Sequence, residues 1–115
     1  NLIDRVMVSS FNPFSLRKVK SIEPRIVCGL LYSPDMPIYL RRAWLAPIIP
    51  HLDAHHPHHQ KVTASNVRRL HTQGKKINVW TANDIDAIRS AIEFGVDGIM
   101  GDDPVFIREI LPSNK

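Results

Sequence analysis

The sequence predicts an α/β protein in which five strand–helix units surround a parallel sheet. Three observations predict it: five short apolar runs, a helix or helix-like segment after each run, and capping residues at the junctions. The 115 residues, 43% of them hydrophobic, suit a single domain with a core. Strands that alternate with helices indicate βαβ units with right-handed crossovers. The rhythm leaves open a doubly wound sheet or part of a closed barrel, although no strand is followed by a dinucleotide-type glycine turn.

The first unit begins with the β-rich run "RVMVSS" at 5–10. Asn12 is a candidate N-cap and Pro13 suits the first helical position, which predicts a helix that Pro24 ends. Near-helical spacing predicts that the apolar side chains of this helix are Phe14, Val19 and Ile22.

The next segments are less regular. "RIVCGLLY" at 25–32 is continuously apolar, as strands buried on both faces are. Cys28, the only cysteine, is expected to be a small buried hydrophobe, and it excludes an internal disulfide or a multi-cysteine metal site. "HLDAHH" at 51–56 is a weak strand candidate. Between these strands, one helical stripe is expected from Leu40, Trp44, Leu45 and Ile48, with Arg41 and Arg42 outside it.

The last three units have the clearest helix-capping residues. "KINVW" and "VDGIM" read as strands, and each is followed by apolar residues at helical spacing. The candidate caps are Thr63 and Gly74 for one helix, Asn83 or Asp84 with Gly95 for the next, and Asp103, Pro104 and Pro112 for the last.

Composition excludes several functional classes. The formal charge is +4, and the basic residues are scattered as expected for solvated helix faces, so no nucleic-acid partner is predicted. Residues 36–50 come nearest to an apolar run, but two arginines and three prolines break it, so no membrane span is expected. We expect no signal peptide in these residues, and because the sequence does not begin with Met we expect its true N-terminus to be absent.

Polar and aromatic residues follow each predicted strand, and ligand sites of parallel α/β folds lie at the carboxyl ends of the strands. Together these residues suit a small polar ligand with an apolar portion, but they contain no evident catalytic group. They are Ser10-Phe11-Asn12, Tyr32-Ser33, His55-His56-Pro57, Trp80-Thr81-Ala82-Asn83 and Gly101-Asp102-Asp103.

Several motifs occur in the order and spacing of one known family. They are "VSSF" at 8–11, "GLLY" at 29–32, "HPHH" at 56–59, "GKKINVWTAND" at 74–84 and "GVDGIMGDDP" at 95–104. Along nearly its whole length the chain resembles a glycerophosphodiester phosphodiesterase. The resemblance implies a (β/α)₈ TIM barrel, which typically takes about 250 residues. Residues 1–115 would then be its C-terminal part, with about five β/α units that correspond to the fourth through eighth strands.

The resemblance also implies an activity. Such enzymes hydrolyse glycerophosphodiesters to glycerol 3-phosphate and an alcohol with a divalent cation, usually Ca²⁺ or Mg²⁺. Their metal ligands and two catalytic histidines belong to His-Arg-Gly, Glu-x-Asp, His-Asp and Glu-x-Lys motifs near the first three strands, and none of these occurs here. We therefore expect no catalytic residue or metal ligand in this chain, and no activity from the chain alone.

What the resemblance assigns to this chain is the wall of the substrate pocket. The predicted substrate-binding residues are Ser10, Phe11, His56 and Trp80, with the indole lying against the glycerol carbons. Packing in the core remains an alternative for both aromatic rings. Gly101-Asp102 stands where the family commonly has Thr-Asp, so no role is given to Asp102.

The run "HLDAHHPHH" raises a metal hypothesis, since imidazole binds Zn²⁺ or Ni²⁺. Adjacent strand residues point to opposite faces and no separated ligand pairs occur, so a native metal site is not expected. His58 and His59 are expected to face solvent. His71 is expected to act structurally, near the carboxyl end of its helix.

Two other functions remain open from the sequence. A partial barrel has open sheet edges, so the chain is expected to associate with the missing N-terminal part or with another copy of itself. It could then be a non-catalytic binding or assembly module. A different phosphate-handling barrel is the third reading.

Overall fold

The computed structural model describes residues 2–37 and 43–112. These residues form one five-stranded sheet with four α-helices, and short 3₁₀ helices occur at Ile3–Arg5, Ala46–Ile48 and His59–Lys61. The strands are β1 (Met7–Ser10), β2 (Val27–Tyr32), β3 (Ala54–Pro57), β4 (Lys76–Val79) and β5 (Gly98–Ile99), and the helices are α1 (Pro13–Ile22), α2 (Ala64–Thr72), α3 (Ile85–Phe94) and α4 (Pro104–Ile110).

The strand order decides between the two architectures that the sequence leaves open. The order is β1-β2-β3-β4-β5, and every neighbouring pair is parallel. A doubly wound sheet reverses its strand order at a switch point, whereas a barrel adds each new strand on the same side. The molecule is therefore a section of a (β/α)₈ barrel, and the predicted α/β class is confirmed.

The helices begin at the predicted caps. The Asn12 side chain accepts hydrogen bonds from the backbone amides of Phe14 and Ser15 in the first turn of α1. Thr63 and Asn66 form a reciprocal capping box at the start of α2. Of the two candidates for α3, Asp84 is the cap.

The helix ends depend on left-handed backbone where the sequence places glycine. Gly74 and Gly95 have φ of 73° and 82°, values that a side chain makes costly. Asp103 caps α4, and its carboxylate accepts from the amide of Phe106. Each of these boundaries confirms a prediction made from the sequence.

The predicted apolar face of α1 is confirmed for Val19, which packs against the core, and is wrong for Phe14 and Ile22. Phe14 and Ile22 are 60% and 72% exposed, whereas Leu16 and Lys20 face the sheet. Leu16 and Lys20 are four positions apart and therefore lie on the same face of the helix. A lysine can occupy this face because its aliphatic stem covers apolar surface. The Lys20 ammonium meets Asp53 at 2.7 Å, so this lysine is not part of a solvated face.

The apolar core lies between the sheet and the helices. Cys28 is completely buried there, as predicted, and burial raises the pKa of its thiol. The expected stripe in 33–50 is not seen in its described part: Trp44 is 55% exposed, and only a 3₁₀ turn forms at Ala46–Ile48. Leu40, Arg41 and Arg42 lie outside the described residues.

The opposite face of the sheet is much less covered. Met7 and Val27 form a register pair, and they are 48% and 41% exposed. Side chains on this inner face would fill the barrel interior if the sheet closed. Within the ranges 2–37 and 43–112, no helix has the length and apolar character to cross a membrane.

Candidate active-site wall

A polar row crosses the inner face of the sheet near its carboxyl edge. His56 on β3 lies between Ser9 on β1 and Asn78 on β4. Its Nδ1 is 2.8 Å from the Ser9 hydroxyl oxygen, and its Nε2 is 3.0 Å from the Asn78 amide nitrogen. The imidazole is completely buried, and both of its nitrogens have partners. The row therefore connects three strands through one ring.

Two glycines provide the space for this row. A Cβ on Gly29 would overlap the His56 ring, and a Cβ on Gly98 would overlap the Asn78 side chain. Ser9 pairs with Gly29 in the β1–β2 register, so the ring reaches Ser9 diagonally across the glycine. Glycine is required at Gly29 for its lack of a side chain, because another strand's ring occupies that volume.

The hydrogen-bond directions in the row follow from the amide. The Asn78 amide nitrogen donates to Nε2, so the neutral imidazole carries its proton on Nδ1 and donates it to Ser9. Burial lowers the pKa of His56, which favours the neutral ring. The Ser9 hydroxyl proton is then left to donate, and Ser9 is exposed. The inner face thus presents one oriented O–H donor.

An aromatic group lies one step further along the strands, at the carboxyl rim. Trp80 follows β4, and its indole Nε1 donates to the His56 carbonyl oxygen at 2.7 Å. Phe11 and His58 meet the indole edge-to-face, with centroid separations of 5.6 and 5.1 Å. The peptide bond between Trp80 and Thr81 is cis. Three separate contacts fix the plane of the indole.

The four predicted substrate-binding residues occupy different places. Phe11 and Trp80 are together at the rim. The His56 ring lies below them without exposed surface, so only its carbonyl oxygen reaches the rim group. Ser10 belongs to the opposite face of β1, and its hydroxyl accepts from the Asn12 amide. The substrate role of all four stays a prediction.

Other expected rim residues are elsewhere. Tyr32 and His55 point to the helix side, where the tyrosine hydroxyl is 3.2 Å from Nδ1 of the histidine. The expectation that His58 and His59 face solvent is wrong, because both are partly buried and their rings stack at 4.5 Å. Partial burial, together with the neighbouring His59, lowers the pKa of His58.

A second contact braces the loops at the same edge. The Asn83 amide donates to the Asp102 carboxylate at 2.8 Å, and the Asp102 amide donates back to the Asn83 side-chain oxygen at 2.9 Å. The two residues join the β4–α3 and β5–α4 loops, which are 19 positions apart in sequence. Asp102 therefore has a structural partner here.

Sequence reasoning missed Ser9, Asn78 and His58. The signal was available for two of them: adjacent strand residues alternate between faces, so Ser9 shares the face of Phe11, and Asn78 that of Trp80. No comparable rule placed His58, because it follows β3 in a loop and reaches the indole by an isolated bridge to Trp80.

The residues present do not fit a divalent cation. Across 2–37 and 43–112, no three His, Cys, Asp or Glu side chains are placed to hold a metal ion. The row of Ser9, His56 and Asn78 is uncharged, whereas Ca²⁺ and Mg²⁺ prefer several oxygen ligands with carboxylates among them. What this surface can do is present a flat apolar wall beside an oriented hydroxyl donor.

Comparisons with known proteins agree with this geometry. Residues 2–105 match the model of the glycerophosphoryl diester phosphodiesterase family. The chain belongs to that family. It is 34% identical over 104 residues to a glycerophosphodiester phosphodiesterase of Caldanaerobacter subterraneus subsp. tengcongensis, covering 90% of this chain and 41% of the relative. It is 35% identical over 116 residues to one of Bacillus altitudinis, covering 92% and 44%.

Solved structures of family members superpose well. A structure described as a glycerophosphoryl diester phosphodiesterase from Silicibacter pomeroyi gives a TM-score of 0.83 at 26% identity, covering 95% of this chain and 38% of that one. An Oleispira antarctica phosphodiesterase, in complex with the product sn-glycerol-3-phosphate, gives 0.73 at 25% identity, covering 91% and 41%. The chain thus spans less than half the length of these family members.

Proposed function

We propose that this chain forms the substrate-pocket wall of a phosphoric diester hydrolase that cleaves glycerophosphodiesters to glycerol 3-phosphate and an alcohol. The metal ligands and the catalytic histidines come from β/α units outside these 115 residues. The divalent cation, Ca²⁺ or Mg²⁺, belongs with those units, because no set of ligands for it lies among residues 2–37 and 43–112. Family membership and the product bound to the Oleispira antarctica relative support the substrate class.

The observation that carries the proposal is the anchored indole of Trp80 at the carboxyl rim. Its plane is fixed by the His56 carbonyl and by the rings of Phe11 and His58. A rigid aromatic face can cover the carbons of a glycerol backbone and exclude water from the phosphate beside it. A wall that is fixed before the ligand arrives loses little side-chain entropy on binding.

The Ser9 hydroxyl extends the role of the wall. Its proton is free to donate because its oxygen accepts from His56. A neutral donor suits a glycerol hydroxyl or a phosphate oxygen, and each such bond contributes about 1 kcal/mol, or more when the acceptor is charged. In this proposal Trp80 contacts the carbon skeleton, Ser9 donates one hydrogen bond, and His56 positions both.

Trp80 itself can report on binding. The other tryptophan is Trp44, which is 55% exposed. In a Trp44→Phe background, Trp80 is therefore the only source of tryptophan emission. We expect sn-glycerol 3-phosphate to change that emission with saturation, and inorganic phosphate to change it much less. Adding Ser9→Ala should weaken the binding by about three- to tenfold. Emission that stays constant in a folded chain would contradict the proposed wall.

Catalysis by the chain alone tests the division of labour. We expect no hydrolysis of glycerophosphocholine above background with either Ca²⁺ or Mg²⁺, because the acid, the base and the metal ligands are expected elsewhere. Measurable turnover that chelation abolishes would show that this chain holds catalytic groups of its own.

An assembly module is the second candidate function. The exposed inner-face pair Met7 and Val27, together with the two edge strands β1 and β5, favours it. Open parallel edges offer unpaired backbone groups to another chain. Light scattering after size exclusion distinguishes the cases: a concentration-dependent dimer supports association through these surfaces, and a monomer at all concentrations opposes it.

A further inference from the structure

A cavity of about 310 Å³ lies on the helix side of the sheet, away from the aromatic rim. We call it the outer cavity. It opens between β2, β3, α2 and the segment that precedes β3. Apolar side chains form part of its wall, and five polar residues form the rest. The residues that matter to its chemistry are Tyr32, Ile49, His55, Arg69, Leu70 and Lys75.

The outer cavity has two cations and no acidic side chain in its lining. Arg69 is at neither end of any ion pair within 2–37 and 43–112, and its guanidinium makes no hydrogen bond there. Lys75 donates to the Leu52 carbonyl, which uses one of its three N–H groups. The local positive charge is therefore uncompensated by the residues that the structure describes.

The buried pair of His55 and Tyr32 adds an unused donor. Their side chains share one hydrogen bond, between the tyrosine oxygen and Nδ1, and neither makes another within the described residues. If the tyrosine donates, Nε2 carries the imidazole proton and has no acceptor. If Nδ1 donates, the tyrosine proton has none. Either way one N–H or O–H donor is left over.

The two residues that share the leftover donor both line the outer cavity. No completely buried side-chain nitrogen or oxygen in the described part of the chain lacks a partner, so the unpaired donor must have some accessible surface. His55 is only 8% exposed and Tyr32 is partly buried, and both line the outer cavity. A nearly buried polar group directed into a cavity is costly unless something pairs with it.

We propose that the outer cavity is a binding site for a small organic anion, with a carboxylate or phosphate head and a short apolar body. The head would take hydrogen bonds from Arg69, Lys75 and the His55–Tyr32 pair, and the body would lie against Ile49 and Leu70. Donors aimed at one volume select an acceptor that carries negative charge. This site is separate from the aromatic rim and does not depend on the function proposed for it.

The electrostatics of His55 give a direct reporter. Burial and, to a smaller extent, the charges of Lys75, Arg69 and His56 together lower the pKa of His55 to about 4. An anion bound beside the ring favours its protonated form and must raise that pKa. Saturation with ligand should therefore move the imidazole titration of His55 upward.

Three probes separate head from body: hexanoate carries both, inorganic phosphate carries the head alone, and 1-hexanol carries the body alone. Isothermal titration with the intact chain should show hexanoate binding at least about tenfold more tightly than hexanol. The pKa of His55, followed through its imidazole resonances, should rise with hexanoate and phosphate but not with hexanol. Equal binding of hexanoate and hexanol, or no binding of hexanoate at all, would overturn the proposal.

Matched variants locate the site. Arg69→Gln and Lys75→Gln should each weaken hexanoate binding by about three- to tenfold. Arg68→Gln and Lys76→Gln remove the same charge from adjacent positions that do not line the outer cavity, and they should leave the affinity unchanged. Equal losses in both sets would mean that hexanoate responds only to net charge. If a variant fails to fold, the His55 titration of the wild-type chain still decides.

Discussion

His55 and His56 are adjacent in sequence and both are nearly or completely buried, but they lie on opposite faces of β3. His56 faces the barrel interior, where Ser9 and Asn78 occupy both ring nitrogens. His55 faces the helices, where Tyr32 occupies one nitrogen and two cations stand nearby. Burial is nearly the same, and the partners differ. The partners therefore decide that one imidazole is a fixed structural connector and the other an incompletely paired group.

We expect the largest effect from disrupting the polar row of Ser9, His56 and Asn78. Gly29→Ala places a methyl group where the His56 ring lies, so the ring must move and both of its hydrogen bonds are lost. We expect a loss of about 3 kcal/mol or more in the free energy of unfolding, measured with urea.

A double-mutant cycle tests the cause of that loss. In a His56→Ala background the added methyl group has space, so Gly29→Ala should cost much less there. The same large penalty in both backgrounds would mean that the backbone at Gly29, and not the ring, sets the requirement for glycine.

His55 is expected to make the free energy of unfolding depend on pH. The pKa of His55 falls from 6.5 to about 4 on folding, so the unfolded chain takes up a proton that the native chain resists. This contribution is fully present above pH 6.5 and is lost as the pH falls towards 4, with a total of up to about 3 kcal/mol.

Variants isolate that term in urea titrations between pH 4 and 7. His55→Gln should flatten this part of the profile. His51→Asn, at an exposed turn with φ of 54°, removes a histidine outside the outer cavity and is the matched control. Parallel profiles for wild type and His55→Gln would assign the acid sensitivity to other groups.

Trp80 connects the polar row to the carboxyl rim. Trp80→Phe keeps an aromatic face but removes the hydrogen bond from Nε1 to the His56 carbonyl. We expect a loss of about 1–2 kcal/mol in the free energy of unfolding and weaker affinity for sn-glycerol 3-phosphate, measured by calorimetry. Phe11→Leu, which removes a ring contact without that hydrogen bond, is the matched comparison and should cost less stability.

The fold was predictable because its signals are local. The caps at Asn12, Thr63 and Asp84 and the left-handed glycines at helix ends need only a few neighbouring residues. The alternation of strands and helices along the sequence predicted a parallel sheet. The strand order was not local, so the choice between an open sheet and a barrel section required either the structure or the family resemblance.

The details of the site were less predictable because they depend on pairs distant in sequence. Ser9 and His56 are 47 positions apart, and their contact needs both the strand register and the missing side chain of Gly29. The burial of Lys20 depends on Asp53, 33 positions away, which pairs with the ammonium alongside the Pro24 carbonyl. The motif "VSSF" led to Ser10 as a pocket residue, which stays a prediction, whereas strand alternation places Ser9 on the inner face with Phe11.

A third histidine extends the comparison to the surface and predicts the smallest effect. His71 on α2 is 2.8 Å from Asp97, whose carboxylate also accepts from the Ile77 amide. Partial burial alone would raise the pKa of Asp97, but the hydrogen bonds from His71 and Ile77, with the charges of His71 and Lys76, lower it overall. Because the pair is partly exposed, solvent screens it, and Asp97→Asn should cost only about 1 kcal/mol at pH 7.

The sign of its pH dependence follows from the lowered pKa of Asp97. The stabilisation is present above the ordinary value of 3.8 and is lost as the pH falls through the folded value below it. The wild-type and Asp97→Asn unfolding curves should therefore differ at pH 7 and converge as the pH falls below the lowered pKa of Asp97. A difference that persists in strong acid would show that shape at position 97, and not the carboxylate charge, supports the start of β4. Such a result would set the His71–Asp97 pair apart from His55, whose pH dependence comes from burial and from the charges beside it.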